Sequence, residues 1–180
     1  METDYREIKV HPLFEPIKKL FVFVIYGSGF LMMPKFQKSF LAKNPGAQSI
    51  FDDYNKETNL TVSDTEISIN AKTYLTPTGR LMAIAIFDFL QCSEFQSYLS
   101  QTEIYKFARH IRNGSAHNNK FFFDKKSMKE LSTSPVKWGD KTIDISLMGK
   151  TVVPDFIGSY SLLCLMGDIS KMIEEKQTTK

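Results

Sequence analysis

Little in this chain supports redox, metal or membrane chemistry. Its 180 residues include two cysteines, Cys92 and Cys164, too few and too far apart for a disulfide framework or a zinc site. Both fall inside apolar helical patterns and read as buried thiols in a reducing compartment. Histidine is scarce as well: His11 is remote in sequence from His110 and His117, and the carboxylates are scattered, so no metal constellation forms. No glycine-rich phosphate loop precedes a helix, because Gly27-Ser28-Gly29 sits within an apolar stretch and lacks the Lys-Ser/Thr ending. The expectation is a protein with no cofactor and no metal. The apolar run of residues 20–33 is shorter than the roughly 18 to 20 residues that a span requires. Its glycines interrupt it, and "METDYREIKVHPLFEP" lacks the pattern of a secretory leader. A cytoplasmic protein without a membrane partner is expected, and membrane association through 20–33 is the least favoured alternative. A formal charge of +3 does not describe a protein that coats nucleic acid over its whole surface, though it leaves room for a local basic patch.

What the chain does have is apolar residues, 42% of the total with 15 phenylalanines, enough for one sizeable core. The length suits a single domain over 1–180. Helices are expected over about 12–43, 80–99, 102–117 and 154–176, with β excursions over about 60–76 and 136–153. Pro12 and Pro16 suit a helix start, Pro34 a kink, and Asn44-Pro45-Gly46 a stop. Ile67 and Ile69 alternate with polar residues in a strand that Pro77 and Gly79 close, and Ile143, Ile145 and Leu147 alternate before a hairpin turn at Met148-Gly149-Lys150. Trp138 is a packing anchor for that hairpin. Pro154 and Asp155 begin the last helix. The fold class is mainly α: a four-helix bundle with β-hairpin or strand insertions, the second helix being the most central.

The densest polar stretch is "FARHIRNGSAHNNKF", residues 107–121. Thr102 caps the helix that carries it. Ile104, Phe107, Ala108, Ile111 and Ser115 fall on one stripe and face the core at about 100° per residue. His110, Asn113 and His117 form a row on the far side, with Arg112 on the flank and Gly114 weakening the helix near its end. A cationic His and an Asn at a helix C-terminus are favourable without any further role. That accounts for one His and one Asn, but not for a polar row with an arginine beside it. Beyond it, "KFFFDKKSMK" interleaves aromatics with Lys120, Lys125 and Lys126. That pattern suits either RNA contact or core anchors with a solvated charged side.

The match "RNGSAH", which is Arg112, four residues, then His117, resembles the HEPN superfamily, whose members are up-and-down helical bundles with an Arg-x4–6-His motif late in the third helix. The residue after the family's arginine is often Asn, and Asn113 stands there. About fifteen residues carry the resemblance, and the β excursions depart from it. It is similar to HEPN domains of bacterial defence and toxin–antitoxin loci. It implies a metal-independent endoribonuclease whose RNA product ends in a 2′,3′-cyclic phosphate. In that reading His117 handles the proton, Arg112 stabilises charge on phosphorus and Asn113 orients the site, with His110 in support. One His per motif is thin for both base and acid, and a homodimer through the motif-bearing face joins two motifs across a two-fold axis. An antitoxin or regulatory partner follows from the same resemblance. The alternative is a non-catalytic module that uses this face for dimerisation, nucleotide binding or partner binding.

Overall fold

The structure, a computed structural model, describes residues 8–31, 38, 41–43, 61–62, 67–68 and 72–178. The kink expected at Pro34 and the stop at 44–46 lie outside those residues, as do 60, 63–66 and 69–71 of the β stretch expected at 60–76, whose last five residues are helix rather than strand. The fold is mainly helical. Its elements in chain order are α1 (Glu15–Leu31), β1 (Thr61–Val62), β2 (Ile67–Ser68), α2 (Lys72–Gln91), α3 (Gln96–Leu99), α4 (Glu103–Ala116), α5 (Lys125–Thr133), β3 (Val136–Trp138), β4 (Lys141–Ile143) and α6 (Ser159–Thr178), with single 3-10 turns at Pro12–Phe14 and Ile145–Leu147. No helix among the described residues is long and apolar enough to cross a membrane.

The second long helix is central, as its composition predicts: α1, α4 and α6 each pack on α2. Met82, Ala83, Ile86, Phe87 and Leu90 carry its buried face. It begins earlier than expected. Pro77 lies inside it rather than closing a strand, as its sixth residue, where the helix forgoes one internal N–H bond. It also ends sooner, at Gln91. There Ser93 Oγ donates to the Leu90 carbonyl (2.7 Å) and the chain turns. Cys92, just beyond, is exposed rather than buried. Thr102 then does two things: its hydroxyl donates to the Leu99 carbonyl (2.6 Å), ending α3, and accepts from the Tyr105 N–H (3.3 Å), starting α4.

The stretch after α4 departs furthest from expectation. Asn118 and Asn119 both adopt left-handed backbone (φ 53 and 58), a region that Asn enters more readily than other residues with a Cβ. The chain thereby reverses, and residues 119–121 run antiparallel to 149–152. Phe121 donates to the Lys150 carbonyl (2.9 Å), Val152 to the Asn119 carbonyl (3.0 Å) and Gly149 to the Phe121 carbonyl (2.8 Å). The buried Asn119 side chain extends this ladder. Its Oδ1 accepts from the Val153 N–H (3.0 Å) and its Nδ2 donates to the Val153 carbonyl. Phe121 and Phe123 point into the core, while Phe122 is exposed.

A short helix, α5, follows where none was expected, capped by Asp124, whose Oδ1 accepts from the Ser127 N–H (2.7 Å). The hairpin β3–β4 turns at Gly139-Asp140, not at Met148-Gly149-Lys150. Gly139 supplies the positive φ (56) that a two-residue hairpin turn requires, and Ile145–Leu147 is a helical turn rather than strand. Trp138 anchors the hairpin as predicted, its ring 5.5 Å from Phe107 and its Nε1 donating to Asp168 Oδ2 (3.1 Å) on α6. The last helix starts at Ser159, because residues 153–156 form a turn around a cis Val153–Pro154 bond.

Two glycines set how closely these layers approach. A Cβ on Gly114 of α4 would lie 2.5 Å from Val152 Cγ2 and 3.3 Å from the Lys120 carbonyl oxygen. One on Gly79 of α2 would lie 2.8 Å from Val153 Cγ1. Gly114 is therefore a packing position within an intact helix, not a weak point. Gly114→Ala is expected to lower stability by about 1–3 kcal/mol. Val152→Ala in the same chain should recover part of that loss. Urea denaturation of the two single variants and the double variant checks this, and strict additivity would show that the close approach carries no strain.

Candidate functional site

The end of α4 is built by groups from α2 and from the reversed chain. Arg80 Nε of α2 donates to the Ser115 carbonyl (2.9 Å), one of the last carbonyls that a helix leaves without an internal partner. The His117 N–H closes on the Asn113 carbonyl (3.0 Å), and the Lys120 N–H on the His117 carbonyl (3.2 Å). The predicted stripe is where periodicity put it: Phe107, Ala108, Ile111 and Ser115 are buried and Ile104 is half-buried. Ser115 Oγ has no hydrogen-bond partner among the described residues.

On the flank, Arg112 Nε donates to Asp88 Oδ1 on α2 at 3.1 Å. Both side chains are partly exposed, so the pair adds little stability, at most about 1 kcal/mol. Its effect is directional. One edge of the guanidinium is fixed, and the terminal amino groups have no acceptor among the described residues. Asn113 is half-buried and His117 is exposed, and neither side chain has a hydrogen-bond partner among the described residues. Arg112 and Asn113 in the last turns of α4 and His117 at its C-cap all retain exposure, with Lys120 exposed just past them. Such a set can hold an oxyanion against an arginine fork while an imidazole exchanges a proton with solvent or substrate.

Lys125 and Lys126 are exposed on α5, where Lys126 Nζ is 4.0 Å from Glu130 Oε1. They belong to the segment that covers His110, not to the helix end. His110 itself is the clear departure from expectation. It was placed on the outer row, yet it is only 6% exposed, with its ring edge-on to Phe123 at 5.5 Å. Helical periodicity distinguishes the core side of α4 from its far side, but it carries no information that residues 121–133 fold back over that far side. Burial, reinforced by the Arg109 charge and opposed by Glu130 and Asp124, lowers the His110 pKa to about 4. His110 is therefore a neutral imidazole at neutral pH.

Sequence reasoning missed Asp88 and Arg80. The available signal was a lone carboxylate in the apolar run "AIAIFDFL", where only a partnered Asp is comfortable. Among the described residues no group of three or more His, Cys, Asp or Glu is placed to hold a metal ion. Comparison with family models, with curated proteins and with solved structures finds no match to this chain.

The low His110 pKa has a signed consequence. The unfolded chain takes up this proton near the ordinary value of 6.5, and the folded chain only near 4. Stability is therefore unaffected above about pH 6.5 and falls as pH drops from there toward 4, by up to about 3 kcal/mol. His110→Phe should flatten this part of the profile. Urea midpoints at pH 7.5 and 4.5 check it, and parallel loss in both proteins would refute it.

Proposed function

We propose that this chain is a metal-independent endoribonuclease of the HEPN type. The observation that carries the reading is Arg112, held by Asp88 through Nε alone, at the same accessible end of α4 as the exposed His117. The helical fold, with α4 packed on a central α2, fits the bundle that the resemblance implies.

In the proposed reaction a ribose 2′-oxygen forms a bond to the adjacent phosphorus, and its proton passes to a neutral imidazole. The bond from phosphorus to the 5′-oxygen breaks, and that oxygen takes a proton from an imidazolium. The product is a 2′,3′-cyclic phosphate and a free 5′-hydroxyl. The free amino groups of Arg112 face charge that grows on the equatorial oxygens, which is where preorganised donors lower a barrier most. Asn113 orients the phosphate or the imidazole. Since base and acid are both required, the second His117 comes from another copy of the chain, paired at the uncovered C-terminal end of α4 with two-fold symmetry. Asp88 is a positioning residue. A bacterial defence or toxin setting, a cytoplasmic location and an antitoxin partner rest on the sequence resemblance alone.

A second reading draws on the same ion pair. An arginine already engaged through one nitrogen within its own chain also suits a non-catalytic module in which this helix end is a docking face. Cleavage separates the two. Purified protein incubated with single-stranded and structured RNAs in chelator should yield 2′,3′-cyclic phosphate ends. His117→Ala and Arg112→Ala should each reduce the rate by about 100-fold or more, and Asp88→Asn by less. Cleavage that survives both alanine variants unchanged, or is absent from every RNA, removes the nuclease reading and leaves the module.

A further inference from the structure

A pocket of about 580 Å³ opens between α4 and the segment from α5 to β3. Glu103, Lys106, Arg109 and His110 line it from α4, and Glu130 faces them from α5. Its size lies within the usual range for small-ligand sites. His110 is more than nine-tenths buried, and neither ring nitrogen has a hydrogen-bond partner among the described residues. The ring nitrogens are not sealed from solvent, since among the described residues only Ser115 Oγ is both fully buried and unpaired; a ligand entering the pocket can bond the imidazole in place of water. Kept neutral by its surroundings, the ring offers one donor and one acceptor.

The charges on the wall decide what kind of ligand fits. Lys106 and Arg109 are balanced by Glu103 and Glu130, and two carboxylates would repel a bare phosphate as strongly as the two cations attract it. A cation meets the mirror-image problem, and an apolar ligand would leave the half-buried Arg109 and the His110 ring without partners on that side. A neutral, planar heterocycle with donors along one edge and acceptors along another meets both signs. Among nucleobases only guanine places an N–H and an amino group side by side, matching the two oxygens of a carboxylate. Its O6 and N7 match the fork of an arginine. Glu130 and Arg109 stand on opposite elements across the pocket, Glu130 exposed and Arg109 half-buried.

Position on α4 connects this pocket to the helix end. Glu103, Lys106, His110, Asn113 and His117 follow one another at three- and four-residue spacing along a single face. His110 and His117 are thus about 10 Å apart along the axis, within reach of neighbouring nucleotides on one strand.

We propose that the His110 pocket binds a guanine base, with Glu130 on its N1–H and amino edge and Arg109 on O6 and N7, beside the phosphate handled by Arg112 and His117. Binding of guanine stands by itself; its place next to the cleaved phosphate rests on the ribonuclease reading.

The test uses the full chain carrying His117→Ala, titrated calorimetrically with the four ribonucleoside 5′-monophosphates. The guanosine nucleotide should bind about tenfold or more tighter than the other three. Adding Glu130→Gln, a change at an exposed position, should abolish that preference. Equal affinity for all four, no binding, or a guanosine preference that survives Glu130→Gln overturns the proposal. The two readings fail separately. Guanosine selectivity without RNA cleavage by the parent chain keeps the pocket and removes the nuclease. Cleavage without guanosine binding keeps the nuclease and removes the pocket. If both hold, cuts should fall beside guanosines.

Discussion

Val152 and Val153 press against two helices at once, and each helix has a glycine at the point of contact, Gly114 on α4 and Gly79 on α2. Much of the fold follows from that close approach. It fixes the depth of the 149–153 strand, and through Asn119, which holds the Val153 backbone on both sides, it fixes residues 119–121 beside it. Phe121 and Phe123 then reach the core, α5 follows, and the covered side of α4 includes His110. The run of apolar side chains supplies the driving force for burial, but it is backbone proximity at two glycines that selects this arrangement over other ways of covering the same helices.

How much of this could be read in advance depended on whether the cause was local. The α4 stripe and the Thr102 cap were legible because helical spacing and a hydroxyl at a helix start act within one or two turns. The same holds for Trp138, a large ring that a small hairpin can only bury against something bigger. The hairpin turn was misplaced by several residues, since Met148-Gly149-Lys150 has as good a local turn signal as Gly139-Asp140. Gly149 does adopt positive φ, but in a different connection. Pro77 and Gly79 carry a local stop signal. One is instead tolerated early in a helix, and the other is required by a neighbour some seventy residues away in the chain.

The candidate site shows the same division. Spacing singles out Arg112, Asn113 and His117, and the structure leaves the first two half-buried and the third exposed. Rotation about the helix axis makes His110 a neighbour of Asn113 and His117 and predicts that it shares their exposure. Tertiary cover turned it from a surface cation into a buried neutral ring. Asp88 and Arg80, which hold the helix end from α2, come from a different element and have no motif of their own. The polar density of 107–121 therefore has several separate causes. One Asn makes the chain turn back, another holds a strand, one His is enclosed, and the remainder faces outward.

The chain's one tryptophan sits where the β3–β4 hairpin meets both α4 and α6. Light absorbed at long ultraviolet wavelengths is re-emitted from that single point. The indole packs at a tilt against Phe107 of the α4 stripe and is tethered through its N–H to a carboxylate on α6, so its emission colour and lifetime report on the joint between these layers. Loosening at that joint becomes visible without any attached label, and it can be followed separately from the loss of helix seen by circular dichroism.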